Sequence, residues 1–187
     1  MKIGIISDTH GSASAWSQAI DGPFNDVDFI FHAGDVLYHG ARNPFPFGYQ
    51  TSELADLLNS SPVPLLIAKG NCDSAVDKTV LNYPIQPLVF SQLEGVRYCV
   101  MHGDQGGMAD FLRLAHRYRA DFLVTGHSHI RRLKKENHVI HLNPGSAALP
   151  KDHINGSVGV IDTLQRTVNI IDLETAEILE NLVFSIK

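Results

Sequence analysis

The chain has 187 residues, 44% of them hydrophobic and 19% charged, and so reads as an ordinary globular protein long enough to bury a sizeable core. Its formal net charge of -5 argues against a surface built to grip a nucleic-acid backbone, although a nucleotide met one phosphate at a time is still compatible with it. Two cysteines, Cys72 and Cys99, are too few for a disulfide framework, and the apolar run Met1–Ile6 is too short for a signal-peptide core or a membrane span; the expected location is the cytoplasm.

Lys2–Ile6 is a short continuous apolar run closed by polar residues, the pattern of a strand buried on both faces. Gly11-Ser12 then opens a helix over Ala13–Ile20, with Ser12 placed to cap it. A second buried strand, Val27–His32, ends at Ala33-Gly34-Asp35. The stretch Tyr38–Gln50 carries Pro44, Pro46 and Gly48 with aromatics between them and reads as a long loop, a feature that in compact domains is usually functional. Ser52–Asn59 follows as a helix, Pro64–Ala68 as a third strand running into Gly70-Asn71, and Val96–Met101 as a strand running into His102-Gly103. Met108–Tyr118 has apolar residues at helical spacing, and Phe122–Thr125 is a strand that runs into Gly126-His127. From Ile130 onward the sequence mostly alternates, with strands expected at Val139–Leu142, Ser157–Asp162, Val168–Asp172 and Ile178–Ile186. No linker, repeat or low-complexity tract interrupts the chain, which reads as one domain over residues 1–187 with βα units in front and hairpins behind.

Five of these strands end in Gly- or Asp-containing turns that carry oxygen or imidazole donors. The blocks are Asp8-Thr9-His10, Gly34-Asp35, Gly70-Asn71-Cys72-Asp73, His102-Gly103 and Gly126-His127-Ser128-His129. In α/β sheets, sites gather at the carboxyl ends of the strands, so the five turns are expected to build a single site. Glycine beside each donor admits unusual turn conformations and keeps bulk away. The mix of hard oxygen and borderline imidazole donors suits Mn, Fe, Zn or Ni. Two ions sharing a carboxylate would point to hydrolysis of a phosphate ester.

On these blocks the sequence resembles the calcineurin-like metallophosphoesterases, from Asp8 to about Ser146. More closely, it is similar to their YfcE-like phosphodiesterase branch, through Gly34–Asn43, Gly70–Asp73, and Asn143–Ser146 followed by Pro150-Lys151. The resemblance implies a four-layer α/β sandwich, two packed mixed sheets flanked by helices. It places Asp8, His10, Asp35 and His129 around one metal and Asp35, Asn71, His102 and His127 around another, with Asp35 bridging and Mn favoured. It also implies in-line attack on a small phosphodiester by a hydroxide held between the ions, with Asp35, Asn71 and His102 acting on the reaction through that hydroxide. No Ser-His-Asp, Cys-His or phosphate-loop pattern competes.

Two positions depart from the family pattern. Many relatives place histidine after the ligand asparagine, where it can protonate the leaving group; here Cys72 stands there, and a thiol is a poor general acid near neutrality. Asp104 occupies a position where near relatives often carry another histidine. Asp73 is expected either to orient His10 or another ligand, or to cap a turn. In the long loop His39 and Arg42 are candidates for shaping the substrate pocket, Arg42 by meeting a phosphate oxygen. Phe45, Phe47 and Tyr49 either stack on a substrate ring or pack the loop onto the body. His32, His116, His138, His141 and His153 read as structural or solvated. The competing readings are a non-catalytic, metal-containing interaction scaffold, which the complete donor set speaks against, and a phosphomonoesterase or nuclease of the same fold. Neither a membrane nor a long nucleic acid is expected as partner, and the sequence leaves homo-oligomerisation open.

Overall fold

The computed structural model describes residues 1–152 and 154–185, so the expectations for His153 and for Ile186 at the end of the last strand lie outside the described residues. Four parallel strands, β1 (Lys2–Ile6), β2 (Phe29–His32), β3 (Leu65–Ala68) and the two-residue β4 (Ile85–Gln86), form one side of a seven-stranded sheet. The antiparallel meander β10 (Ser157–Asp162), β11 (Thr167–Asp172) and β12 (Ile178–Val183) completes it against β1, giving the order β12-β11-β10-β1-β2-β3-β4. The second sheet runs β5-β6-β7-β9-β8, from β5 (Val89–Leu93), β6 (Val96–Val100), β7 (Phe122–Val124), β8 (Arg132–Glu136) and β9 (Val139–Asn143). Here β6, β7 and β9 are parallel, and β5 and β8 fold back antiparallel as hairpin partners at the two edges.

Side-chain alternation explains why the sheets stack. In β1, Ile3 and Ile5 face the second sheet and pack with Tyr98, Phe122, Val124 and Leu142, whereas Ile6 faces helices α1 (Ala13–Asp21) and α2 (Thr51–Asn59). A third apolar cluster joins helix α3 (Met108–Arg117) to the outer face of the second sheet through Phe111, Ala115, Cys99 and Leu123. The result is the expected four-layer order: helices, mixed sheet, mixed sheet, helix. Ser12 caps α1 as expected, accepting from Ala15 N at 3.1 Å, and its hydroxyl also donates to Phe47 O, which ties the long loop to the helix start. No helix among the described residues is long and apolar enough to cross a membrane.

Three strands escape the sequence reading, β4, β5 and β8. The sequence of β8, Arg-Leu-Lys-Lys-Glu, has no apolar alternation because an edge strand carries charge that discourages pairing with another sheet. The β5–β6 connection is a two-residue turn, Glu94-Gly95, with φ of 49° and 81°, the left-handed pair a tight hairpin needs. A hairpin therefore sits in the middle of the chain, not only in the back half.

His141, on β9, is buried, with its Nε2 2.9 Å from Thr125 Oγ1 and its Nδ1 without a hydrogen-bond partner among the described residues. Burial, reinforced by Arg132, depresses its pKa to about 4. A histidine whose folded pKa lies below its unfolded value binds fewer protons when folded, so stability must fall as pH drops from the unfolded pKa toward about 4. The wild-type protein should lose stability over this window by up to about 1.4 kcal/mol per pH unit more than a His141→Gln variant. Parallel denaturant-derived stabilities of the two proteins between pH 6.5 and 4.5 would contradict this assignment.

Candidate metal centre

The donor-bearing turns follow the carboxyl ends of β1, β2 and β3 in one sheet and β6 and β7 in the other, so the site forms on the rim where both sheets end. Backbone bonds lace neighbouring turns together: Asp8 N donates to Gly34 O, His10 N to Asp35 O, and Gly126 N to His102 O. Asp8, His10, Asp35, His127 and His129 themselves adopt left-handed backbone conformations, with φ between 45° and 68°. Such positions cost on the order of 1 kcal/mol each and persist only where the surroundings over-determine them. The expectation that glycines absorb this strain is therefore only partly met. Gly70 and Gly126 serve a different need, close approach. A Cβ on Gly70 would lie 2.1 Å from Asp35 Oδ1, and one on Gly126 would lie 1.9 Å from Ser7 Oγ.

Two buried groups brace the turns. The Asp73 carboxylate accepts from Asp35 N, Val36 N and Gly70 N at 2.7–2.9 Å, joining the turns after β2 and β3; it caps turns and does not reach His10. His32 links the turns after β1 and β2. Thr9 Oγ1 donates to Val36 O, so it must accept from His32 Nε2, while His32 Nδ1 accepts from Gly34 N. That places the proton on Nε2 and leaves no room for a second one, in keeping with a pKa that burial lowers to about 3. Neither brace can be read from spacing alone, because each needs a partner from a different turn.

The donor atoms converge on a small volume. Three sets, Asp8 with His10 and His129, Asp8 with Asp35 and His102, and His10 with Asp35 and Cys72, have ligand atoms within 4.8 Å of one another. His10 Nδ1 meets Tyr38 O, His102 Nδ1 meets Ala33 O, and His129 Nδ1 meets Leu149 O, at 2.6–2.9 Å. A carbonyl oxygen only accepts, so each Nδ1 carries the proton and each Nε2 is turned inward as a free ligand atom. His10 Nε2 and His129 Nε2 are 3.2 Å apart, which for neutral rings sets two lone pairs face to face. Asp8 Oδ1 lies 3.3 Å from His129 Nε2 and 3.6 Å from His10 Nε2; Asp35 Oδ2 lies 3.3 Å from His102 Nε2 and 3.8 Å from His10 Nε2.

Asp8 Oδ1 and His102 Nε2 are buried without a hydrogen-bond partner among the described residues. The other Asp8 oxygen is fully engaged, by Ser7 Oγ at 2.6 Å and His127 N at 3.1 Å. Although burial opposes its charge, His10 and His129 hold Asp8 well below the usual carboxylate range. Burial opposes the His102 charge too, yet the Asp35 and Asp8 carboxylates pull that imidazole up to about 9. Buried anions beside inward-facing nitrogens draw positive charge to this spot, and the group that fits the donor chemistry is a divalent metal ion.

The predicted site residues divide into two groups. Asp8, His10, Asp35, His102 and His129 are buried and gathered, with Cys72 beside them. Asn71 and His127 lie exposed on the rim; Asn71 Nδ2 donates to Cys72 Sγ at 3.2 Å, and the His127 ring stands edge-on to His102 at 5.1 Å. A cavity of about 470 Å³ forms the mouth, lined by Asp35, Asn71, Cys72, His127, His129 and the cations Arg42 and Lys151. His39 does not line this mouth. It packs among Tyr38, Phe45 and Tyr49, while Phe47 is 86% exposed.

Fold and site together define a class. Residues 1–166 match the calcineurin-like phosphoesterase superfamily domain, and the chain belongs to that superfamily. Among known proteins it is similar to the phosphodiesterase YfcE of Escherichia coli, 34% identical over 164 residues that span 87% of this chain and 88% of the relative. A solved structure described as YfcE, a phosphoesterase from E. coli, superposes with a TM-score of 0.86 over 99% of this chain and all of that one, at 29% identity. Vacuolar protein sorting 29 from Cryptosporidium parvum, at 20% identity and a TM-score of 0.72 over 98% of each chain, shares the fold.

The Asp73 brace is testable. Replacing Asp73 with Asn turns an amide N–H toward backbone N–H groups, leaving at least one buried donor unpaired. The variant should lose about 1–3 kcal/mol of stability in denaturant melts and bind a divalent cation more weakly. Wild-type stability and wild-type affinity in Asp73→Asn would remove Asp73 from this role.

Proposed function

We propose that the chain is a metal-dependent phosphoric diester hydrolase acting on small phosphodiesters. The observation that carries this reading is the convergence of Asp8, His10, Asp35, His102 and His129, with three imidazoles locked by their Nδ1 protons so that Nε2 faces two buried carboxylates. The named activity of the YfcE relative and the family match support it. We assign Asp8, His10, Asp35 and His129 to one ion and Asp35, Asn71, His102 and His127 to a second, with Mn as the preferred metal, by family resemblance and donor type. Two dications held there lower the pKa of water and offset the charge that develops on the phosphoryl oxygens.

The chain's own groups then act around that centre. Arg42 and Lys151, both exposed at the mouth, are placed to meet non-bridging phosphate oxygens. The backbone turns hold the ligands before substrate arrives, so little rearrangement is needed during the reaction. Cys72 occupies the leaving-group side. Burial and then the Asp35 charge push its thiol up to about 12, so the protein groups alone keep it protonated and make it a weak acid. Esters with good leaving groups are therefore the best substrates and alkyl esters the slowest.

Chelation should abolish hydrolysis of bis(4-nitrophenyl) phosphate, and activity should return on reloading, most strongly with Mn among Mn, Zn, Ni and Mg. Asp35→Ala or His127→Ala should lower that activity by more than roughly 100-fold. Full turnover in either variant, or in chelated protein, would sink the mechanism. Cys72→His should raise turnover on poor leaving groups by about tenfold while changing activated esters little, as expected when an acid is supplied. An unchanged ratio between the two substrate types would mean that another group protonates the leaving oxygen.

A further inference from the structure

Two larger cavities adjoin the mouth through different lining residues, and they differ in charge. The first, of about 790 Å³, shares Asn71 with the mouth and extends past His102 and Gly103 along α3. Its apolar lining is Pro87, Leu88, Met101, Phe111 and Leu114, and its cations are Lys69, Arg113 and Arg117. Arg113 and Arg117 stand one helical turn apart with Leu114 beside them, so one face of α3 presents both an apolar surface and positive charge. Arg113 pairs with Asp110, but the side chains of Lys69 and Arg117 have no ion-pair or hydrogen-bond partner among the described residues. The remaining acid of this cavity, Asp104, acts on His127 at the metal end.

The second cavity, of about 650 Å³, shares Tyr38, Cys72 and Ser74 with the mouth. Its lining contains no lysine or arginine; Tyr49, Val76 and Val80 give it apolar surface, and Asp56 and Asp77 give it negative charge. A phosphodiester has two substituents leaving one phosphorus in different directions, and the mouth has one cavity for each.

We propose that this difference selects an unsymmetrical phosphodiester. The phosphoryl group lies at the mouth, the substituent that bears an apolar body and a further phosphate runs along α3 to Lys69 and Arg117, and the uncharged substituent lies in the cavity of Tyr38 and Tyr49. The inference rests on the phosphodiesterase reading above and adds the substrate class to it. An arginine fork and a lysine suit a phosphate dianion better than a neutral group, and the apolar lining between them and the metal end sets the spacer.

The test uses two dialkyl diesters that turn over slowly, methyl 3-phosphonopropyl phosphate and methyl 3-hydroxypropyl phosphate. Each is titrated calorimetrically into the Mn-loaded protein and used to inhibit hydrolysis of bis(4-nitrophenyl) phosphate. The phosphonate should bind about fivefold to tenfold more tightly, with the advantage shrinking as salt rises. A Lys69→Ala/Arg117→Ala double variant should erase the difference, whereas Lys135→Ala, an exposed cation on β8, should leave it intact. Equal affinities in the wild type, or a preference that survives the double variant, would overturn the proposal. Failure to hydrolyse the aryl diester would fall on the phosphodiesterase reading alone, since the affinity ratio still decides whether this cavity selects phosphate.

Discussion

Everything in this fold that is not ordinary packing converges on one constraint: the Asp8 carboxylate is buried where two sheets meet, with one oxygen satisfied and the other left facing three imidazole nitrogens. A buried carboxylate without compensating partners is costly, and wherever the facing rings are neutral their Nε2 lone pairs add repulsion to that cost. The surroundings nevertheless fix this arrangement from every side. Ser7 and the His127 amide hold one carboxylate oxygen, Ser146 Oγ binds the Asp8 carbonyl, and three backbone carbonyls orient the rings. The apolar layers between the sheets supply the stability that makes such a site affordable.

That constraint also explains the unusual backbone. A side chain that leaves a strand end must turn back over the sheet rim to reach a shared point, and a left-handed residue achieves the turn in one step. Five donor residues adopt it, so the strain is carried by the residues that use it. The glycines then guard space instead: any side chain at Gly70 or Gly126 would strike Asp35, Ser7 or Asp8. Asp73 and His32 bind these strained turns to one another through backbone N–H groups and a threonine hydroxyl. A bound cation would relieve the remaining charge imbalance, so metal affinity and folding are expected to be coupled.

The buried strands and the donor-bearing turns after them were legible in the sequence for a physical reason, whereas the four-layer order came from the family resemblance. Buried parallel strands leave continuous apolar runs, as in Lys2–Ile6, and polar residues after such runs mark the rim where sites form. Edge strand β8 was not legible, because Arg132–Glu136 carries charge where a buried strand would alternate. The bracing by Asp73 and His32 was hidden because their partners lie on other turns. The rim position of Asn71 was hidden as well, since a turn residue's side-chain direction depends on backbone angles that spacing does not fix. The cationic face of α3 was present at the i, i+4 spacing of Arg113 and Arg117, but attention to the apolar residues alone passes over it.

Shape and charge at the mouth bear on diester against monoester. A monoester dianion needs concentrated positive charge around one terminal phosphate and little room beyond it, whereas a diester monoanion needs room on two sides and a proton for the departing oxygen. Here the space is two-sided, and it is partitioned by charge: cations along α3 and acids near Asp56 and Asp77. The proton donor is the weak point, because Cys72 sits between the mouth and the acidic cavity with a thiol that Asp35 and burial keep from ionising. On the proposed reading, a substituent leaving on the Cys72 side would depart with little help, which favours an oxygen that is already a stable anion. The proposed substituent along α3 would bear no such demand and could be an alkyl ester held by its phosphate. On the proposed reading, recognition along α3 and departure beside Cys72 would fall in different cavities of the mouth, and that division would give an unsymmetrical diester its direction of cleavage.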